Sequence, residues 1–378
     1  MTERILATYR VAASAADIDA RAGALAAEQS VEMPVEAIGD RRVREDIVAS
    51  VESVRPAGAA FGMKPGLAAV AAFEVTLGLA AETTGHEAAQ LVNMLFGNCS
   101  LQPDVELLDV AFPPGYAAAF PGPAFGIAGL RGRIGAPSRA LTCTALKPQG
   151  STVAHLSALA ATFARAGIDV IKDDHGLADQ SFSPFGERVP AVQRAIDAAN
   201  RETGGRTLYA PTFSGGPKAL AEQARIAKAC GVSVALVAPM LAGLPVFVEM
   251  RREAGLVLIA HPAFAGASRV APALLLGKLF RLFGADATIF PNHGGRFSYS
   301  RETCLGIASA ARDPWEGLQP ALPVPAGGMT VERVDEMIAG YGRDTMLLIG
   351  GGLLTAGDAL LERSREFVRR VHESTASP

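Results

Sequence analysis

The feature that most constrains the fold of this chain is an alternation of strand-like and helix-like segments that begins near residue 140. Short apolar runs rich in β-branched residues alternate with stretches of helical period. The eight predicted strands are residues 141–148, 169–175, 207–214, 234–239, 256–263, 287–292, 321–327 and 345–352. The predicted helices include residues 152–166, 188–202, 217–229, 270–283, 330–341 and 356–371. Eight strand-then-helix units predict a (β/α)8 TIM barrel, and the alternative, a doubly wound open sheet, lacks its Gly-rich first turn here.

The first third of the chain does not follow this alternation. It predicts two strand-like runs, two helices and a Val-rich stretch: residues 5–13, 15–28, 43–54, 68–80 and 87–95. This mixture is typical of a small α+β domain of the ferredoxin-like kind. Prolines at 113–114 and within 121–123 mark the predicted boundary. We therefore expect an N-terminal α+β domain over residues 1–122 and a catalytic barrel over residues 123–378.

Composition narrows the possible functions. Only 19% of the 378 residues are charged and the formal net charge is −3, so neither nucleic acid nor an anionic membrane is an expected partner. Residues 231–248 carry no charge, but Pro239 and Pro245 break the run, and a core strand followed by a loop is expected there. The chain starts without the apolar core of a signal peptide and its four cysteines form no CxxC pair. We expect a cytoplasmic protein with reduced thiols.

The second predicted strand ends in four ionisable residues, Lys172-Asp-Asp-His175. Catalytic groups of barrel enzymes lie at the C-terminal ends of the strands. Side chains alternate along a strand, so Lys172 and Asp174 should point into the barrel mouth, while Asp173 points aside. Asp174 and His175 could hold a divalent cation. The alternative is a Lys–Asp salt bridge that caps the barrel.

Other strand ends carry further candidates, each with an ordinary structural alternative. Lys147 could act as an acid or base, or serve as a phosphate anchor or salt-bridge partner. His261 could contact a ligand or be a satisfied core histidine, and Arg296 could contact an anion or be solvated. Glycine clusters follow the last two strands, at the usual phosphate position of barrels, although they could also serve only as tight turns. Those glycines are Gly327, Gly328, Gly351 and Gly352.

Several motifs in this order resemble the large chain of ribulose-bisphosphate carboxylase (RuBisCO) and, more closely, the RuBisCO-like proteins. The match runs nearly end to end. The matching segments are Ile5–Val11, Ala26–Glu28, Phe96–Asn98, Phe120–Ile127, Thr142–Pro148, Gly167–His175, Ala326–Gly328 and Gly350–Gly352.

The resemblance implies enolisation of a phosphorylated ketose. Lys172 would add CO₂ to become a carbamate, which would hold Mg²⁺ together with Asp174 and His175. The metal would polarise the substrate carbonyl, and Lys147 would be an acid/base residue. Glu28 and Asn98 would reach the site from the small domain of a second subunit, because the family's minimal unit is a head-to-tail dimer.

The departures from the carboxylase pattern matter as much as the match. Carboxylases have glutamate where His175 stands, a second lysine at Gln149 (a position in the substrate site) and serine at Ala326. The arginine that grips one phosphate is missing after His261. The mobile-loop lysine is replaced by the unrelated loop 292–296. Bisphosphate carboxylation is therefore not expected.

These observations predict a RuBisCO-like enzyme that acts on a monophosphorylated ketose. The first choice of reaction is isomerisation of 5-methylthioribulose 1-phosphate, since one phosphate site remains and the apolar segment 261–264 could face a thioether. Transcarboxylation or hydrolysis of a branched oxo-acid sugar phosphate is an alternative in which Arg296 faces a carboxylate. The enolase reaction on 2,3-diketo-5-methylthiopentyl 1-phosphate is another. A catalytically silent regulatory protein is the alternative outside enzymes.

Overall fold

A computed structural model describes residues 3–57 and 71–376, without the side chains of residues 375 and 376. The described residues form two compact units. The first lies within Met1–Phe120 and Ala265–Leu275, and the second within Pro121–Phe264 and Leu276–Pro378. The segment 265–275 belongs to the first unit because its backbone pairs with Leu107 of that unit: the N–H of Leu107 donates to the carbonyl of Arg269, and the N–H of Ala271 to that of Leu107. The division at residues 122/123 stays a prediction.

The first unit has the element order βαββαβ, and its antiparallel sheet has the strand order β2-β3-β1-β4. Its elements are β1 Arg4–Ala12, α1 Ile18–Glu28, β2 Ser50–Ala57, β3 Ala72–Ala80, α2 Ala88–Phe96 and β4 Val105–Ala111. Alternate residues of β1, from Ile5 to Val11, are buried, as expected for a strand with one face in a core. This arrangement confirms the ferredoxin-like α+β prediction.

Two predicted boundaries in this unit differ from the observed ones. In the Val-rich run 43–54, residues 43–47 form a π-helical turn, and the strand begins only at Ser50. The Arg4 guanidinium holds this turn by donating to the carbonyls of Val48 and Glu45. The predicted run 68–80 is a strand from Ala72, and residues 68–70 lie outside the described part of the chain.

The second unit is the predicted (β/α)8 barrel. Its strands are β5 Leu141–Leu146, β6 Val170–Asp173, β7 Leu208–Ala210, β8 Thr212–Phe213, β9 Val234–Val237, β10 Val257–Ala260, β11 Ala287–Pro291, β12 Leu322–Ala326 and β13 Met346–Leu348. Its helices are α3 Gly126–Ile134, α4 Val153–Arg165, α5 Phe185–Thr203, α6 Pro217–Ala229, α7 Pro239–Ala242, α8 Leu244–Glu253, α9 Phe280–Leu282, α10 Arg301–Arg312, α11 Val334–Tyr341, α12 Gly351–Leu354 and α13 Leu360–Ala376. β7 and β8 are one barrel strand interrupted at Pro211, which has no N–H for the ladder.

Prolines also determine where the barrel sheet is weakest. The parallel ladders run β12-β11-β10-β9-β8 and β13-β5-β6-β7. In β12, the N–H of Leu322 donates toward β11, to the carbonyl of Asp286 at 2.8 Å, so alternate residues Pro323 and Pro325 face β13 without a donor. Between these two fully described strands there is no ladder, and the Thr345 hydroxyl donates to the Pro323 carbonyl at 3.1 Å.

The barrel core follows the two-residue period of its strands. Alternate strand residues point inward and pack together, for example Val234 with Leu236 and Val257 with Ile259. Helix α3 contributes Ile127, Leu130 and Ile134 to the same cluster. Because α3 fills the N-terminal end of the barrel, only the C-terminal end is open to a ligand.

The apolar stretch 231–248 is a strand followed by helices, not by the predicted loop. β9 ends at Val237, and α7 and α8 begin at Pro239 and Leu244. Pro239 and Pro245 each occupy the first turn of a helix, where the missing N–H would have no intrahelical partner. Among the described residues, no helix is both long and apolar enough to cross a membrane.

The N-terminal end of the barrel is held by Asp286, the residue before β11. Its fully buried carboxylate accepts from the Arg251 guanidinium at 2.7 Å and from the Leu258 N–H at 2.8 Å. It also accepts from the N–H groups of Phe125 and Gly126, at the start of α3, at 2.7 and 2.8 Å. One carboxylate therefore joins a barrel strand, α8 and the helix that closes the barrel.

We predict that Asp286→Asn lowers the free energy of unfolding by about 3–5 kcal/mol, because it leaves the Arg251 guanidinium buried without its counter-charge. Urea unfolding measures the loss. The control is Glu222→Gln, which breaks an exposed ion pair with Arg225 and should leave the free energy of unfolding close to that of the wild type. Equal losses in the two variants would contradict the assigned role of Asp286.

Candidate active site

Strand β6 directs alternate residues of the ionisable cluster to opposite sides. Val170 lies in the barrel core, so Lys172 and Asp174 share its inward side, as the sequence predicts. Lys172 and Asp174 are 4% and 8% exposed. Asp173 faces outward and is completely buried between the strand and the surrounding helices.

Asp173 is the anchor of this strand end. Its carboxylate accepts from the Arg188 Nε at 3.2 Å, from the Tyr209 hydroxyl at 2.7 Å and from the Thr212 N–H at 3.1 Å. Arg188 is also completely buried, and it donates further to the carbonyls of Ala178 and Ser183 in the loop after β6. Burial raises the pKa of Asp173, and the nearby guanidinium opposes this. The anchor fixes both the strand end and its loop.

Sequence reasoning did not identify Arg188 or Tyr209 as partners of Asp173. A signal for Arg188 was present: it lies three residues after Phe185 and four before Val192, on the face of α5 that carries the buried apolar residues. An arginine on such a face needs a buried acceptor. The sequence offers no comparable signal for Tyr209.

Inside the barrel mouth, four other predicted residues lie around Asp174. Its Oδ2 accepts from the Lys147 Nζ at 2.8 Å, and its Oδ1 lies 3.0 Å from the His175 Nδ1. The His175 ring stacks on His261 with centroids 4.5 Å apart and planes inclined by 8°. Lys172 donates to the backbone carbonyl of Asp173 at 3.0 Å. Residues from three strand ends thus meet in one place.

The pKa values of both Lys172 and Asp174 are lowered in this cluster. Burial lowers the pKa of Lys172, with an additional contribution from the positive charge of Lys147. Burial by itself would raise the pKa of Asp174, but hydrogen bonds from His175 and Lys147, and the charges of both lysines, hold that pKa well below its usual range. A lysine amine is nucleophilic only after it has lost its proton, and a lowered pKa makes that loss easier.

His261 is a neutral histidine that is satisfied and still part of the site. Burial, together with the positive charges of Lys172 and His175, lowers its pKa to about 2. Its Nδ1 accepts from the Ala263 N–H at 3.1 Å, so the ring proton resides on Nε2. His261 can therefore be a hydrogen-bonded core histidine and also contact a ligand.

The glycine clusters after β12 and β13 form closely packed backbone loops. Gly327 and Gly328 have φ angles of +82° and +80°, which favour glycine. A Cβ on Gly328 would lie 2.5 Å from the Gly295 Cα, so the loop after β11 touches this cluster directly. A Cβ on Gly352 would lie 2.9 Å from the Met329 carbonyl oxygen. Three successive strand ends thus bring their backbones together without side chains between them.

Gly351 and Gly352 open the short helix α12, whose first N–H groups have no partner within the helix. Gly350, which precedes them, lies beside Lys147: a Cβ there would be 3.9 Å from the Lys147 Cε. The exposed backbone of this cluster is consistent with the phosphate role predicted for it.

The remaining predicted site residues are placed less centrally. The exposed Arg296 guanidinium lies 5.1 Å from the Phe297 ring centroid. Gln149 donates to the Gly176 carbonyl at 3.1 Å and so links the loops after β5 and β6. In the first unit, the Asn98 amide donates to the Glu28 carboxylate at 3.0 Å, so these two predicted residues form a pair.

Metal ligands supplied by His, Cys, Asp and Glu alone are not found in groups of three or more anywhere within residues 3–57 and 71–376. At the barrel mouth, Asp174, His175 and His261 are of these types, and they do not form such a group. A cation here would need a third ligand from another group, and the neighbouring inward-facing residue is Lys172. The metal and substrate roles assigned from the sequence stay predictions.

Both the sequence and the fold of this chain match known proteins. The family model for the catalytic domain of the ribulose bisphosphate carboxylase large chain matches residues 126–359. The chain belongs to this family. It is 52% identical to the ribulose bisphosphate carboxylase-like protein 1 of Rhodopseudomonas palustris, over 98% of both chains. It is also 52% identical to the 5-methylthioribulose-1-phosphate isomerase of Rhodospirillum rubrum, over 98% of this chain and 97% of that one.

More distant relatives carry another activity in their names. The 2,3-diketo-5-methylthiopentyl-1-phosphate enolase of Geobacillus kaustophilus is 38% identical over 72% of this chain and 68% of its own. A crystal structure of a Rubisco-like protein from Rhodopseudomonas palustris superposes with a TM-score of 0.89 at 50% identity and covers 99% of both chains. The protein is therefore a RuBisCO-like member of the family, and its named relatives support an enzymatic role.

We predict that Arg188→Lys lowers the free energy of unfolding by at least about 2 kcal/mol, although the charge is kept. One ammonium group cannot reach Asp173 and both loop carbonyls together, so buried acceptors lose their donors. Urea unfolding is the measurement. Arg194→Lys, an exposed change on the same helix, is the matched control and should be nearly neutral. A neutral Arg188→Lys would contradict the anchor.

Proposed function

We propose that this protein isomerises 5-methylthioribulose 1-phosphate by moving a proton between carbons of the ketose. The observation that carries the proposal is the 52% identity, over nearly the whole of both chains, to the Rhodospirillum rubrum protein named for this activity. The site supports it, because a lysine, a carboxylate and a neutral imidazole meet at the barrel mouth beside a glycine-rich loop cluster.

The roles of the chain's own residues follow from their positions. The backbone N–H groups at Gly327, Gly328, Gly351 and Gly352 bind the phosphate. Lys147 lies between this cluster and Asp174, and its Nζ takes and returns the substrate proton. Asp174 orients that ammonium group. His261, with its proton on Nε2, donates a hydrogen bond to a substrate oxygen. Gln149 and Arg296 contribute outer contacts to the substrate.

The donor set fits a divalent cation when Lys172 carries CO₂. The neutral amine is the form that reacts with CO₂, burial lowers the pKa of Lys172, and a carbamate there would supply oxygen beside the Asp174 carboxylate. His175 would contribute the third ligand. When bound, the ion supplies positive charge at the substrate carbonyl. We propose Mg²⁺, and since imidazole suits transition metals better, Mn²⁺ or Co²⁺ should replace it well.

Carboxylation of ribulose bisphosphate is not part of this proposal. Gln149, Ala326 and the loop 292–296 stand where carboxylases carry a lysine, a serine and the mobile-loop lysine. The loop 292–296 instead packs its backbone against Gly328.

We further propose a homodimer in which Glu28 and Asn98 complete the partner's site. Their side chains are hydrogen-bonded to each other in the first unit, and Asn98 is exposed.

All four cysteines are free thiols, in keeping with a reducing, cytoplasmic location.

Incubation of the protein with 5-methylthioribulose 1-phosphate, bicarbonate and Mg²⁺ in D₂O should give an isomeric ketose phosphate carrying deuterium. Mass spectrometry and NMR identify the product. EDTA should stop the reaction, and Mg²⁺, Mn²⁺ or Co²⁺ should restore it. No turnover, together with enol formation from 2,3-diketo-5-methylthiopentyl 1-phosphate, would replace the isomerase by the enolase. Ribulose bisphosphate should give no fixed CO₂.

We predict that Lys147→Met lowers kcat by about 10²–10⁴-fold, because the group that carries the proton is lost, while KM changes much less. Carbon-13 NMR with labelled bicarbonate should still show a protein carbamate in this variant. The carbamate signal should disappear in Lys172→Arg, since a guanidinium does not add CO₂. A signal that survives Lys172→Arg would show that another amine is modified.

A further inference from the structure

A pocket of about 60 Å³ lies beside the stacked imidazoles of His175 and His261. Its other walls come from the ends of β8 and β9 and from α7: Phe213, Leu236, Ala238, Leu241 and Ala242. All of these belong to the barrel unit. The pocket therefore opens at the catalytic end of the barrel, next to the reacting groups.

The chemistry of the walls excludes a phosphate and favours an apolar group. No lysine or arginine is among the described residues that line the pocket. Two of the polar members are hydrogen-bonded within the protein. The Thr212 hydroxyl donates to the Asp174 carbonyl, and the Ser214 backbone exchanges two hydrogen bonds with the Gln223 amide. An apolar group entering here gives up no hydrogen bond to water, whereas a hydroxyl group must exchange its water partners for the few polar groups of the wall.

The position of the pocket is opposite that of the glycine clusters. Counted around the barrel, β8 and β9 are the third and fourth strands, and β12 and β13 are the seventh and eighth. In a closed eight-stranded barrel, the third strand faces the seventh and the fourth faces the eighth. Lys147, Asp174 and His261, from the first, second and fifth strands, lie between. A substrate with phosphate at the glycine clusters directs its other end toward this pocket.

We propose that this pocket holds the methylthio end of the substrate, and that Ala238 and Ala242 determine the preference for that group over a hydroxyl. This inference rests on the proposed isomerase function. A thioether sulfur with its methyl group is a small apolar end. The two alanines leave room for it, and Leu241, 65% exposed at the rim, covers it.

The test compares 5-methylthioribulose 1-phosphate with ribulose 1-phosphate, which ends in a hydroxyl. Ala238→Leu and Ala242→Leu fill the pocket. Each should lower kcat/KM for the methylthio substrate at least about tenfold, mainly through KM, and change the value for ribulose 1-phosphate less than about threefold. Leu241→Ser should reduce the preference between the two substrates, and Leu241→Met should retain it.

Ala224→Leu is the matched control. Ala224 is also half-buried and lines a different pocket, between α6 and α8 on the outside of the barrel, so this variant should behave as the wild type. A parallel change for both substrates in Ala238→Leu and Ala242→Leu, or an equal effect of Ala224→Leu, would overturn the proposal.

A binding measurement tests the pocket independently of the reaction. Calorimetric titration of the Lys147→Met variant with both phosphates should show tighter binding of the methylthio compound, and adding Ala238→Leu should remove that advantage. If the wild type converts neither compound, the isomerase function falls. In that case, tighter binding of the methylthio compound would still support the pocket assignment. Equal binding of the two compounds would contradict it.

Discussion

The site depends on one buried interaction that does not itself face the substrate. Asp173 is fixed by Arg188, Tyr209 and the Thr212 backbone on the outer side of β6. Because side chains alternate along a strand, an outward position fixed at Asp173 sets Lys172 and Asp174 inward. A strand shifted by one residue would place the lysine against the helices and the outer carboxylate in the mouth. The charge of the ion pair therefore matters less than the register it imposes.

Buried carboxylates paired with arginine and with backbone N–H groups also occur at the opposite end of the barrel. Asp169, before β6, accepts from Arg139 and from the Thr142 backbone, as Asp286 does with Arg251 and Leu258 before β11. Buried carboxylates at the N-terminal ends join neighbouring strands and are already neutralised. At the C-terminal end, the pKa values of Lys172, Asp174 and His261 are lowered instead. Stability and reactivity are thus separated along the barrel axis.

Much of this arrangement could be predicted from the sequence, because it follows from local periodicity. The two-residue period placed Lys172 and Asp174 together, and the strand ends placed Lys147 and His261 near them. What could not be predicted depends on distant partners. The pairing of Leu107 with Arg269 and Ala271 assigns segment 265–275 to the first unit. No local sequence pattern predicts this pairing. Pro239 and Pro245 predict a break in the chain's regular structure, because local composition does not distinguish a first helical turn from a loop.

The prolines of β12 have a consequence for ligand binding. The loops that follow β12 and β13 carry the two glycine clusters, and the strands beneath them share no backbone ladder. Their spacing is set by side-chain packing and by the single bond from Thr345 to Pro323. The barrel wall therefore has one joint without a backbone ladder, and that joint lies directly below the two glycine clusters. Closing the two loops on a phosphate can be accommodated there without breaking any main-chain hydrogen bond of the sheet.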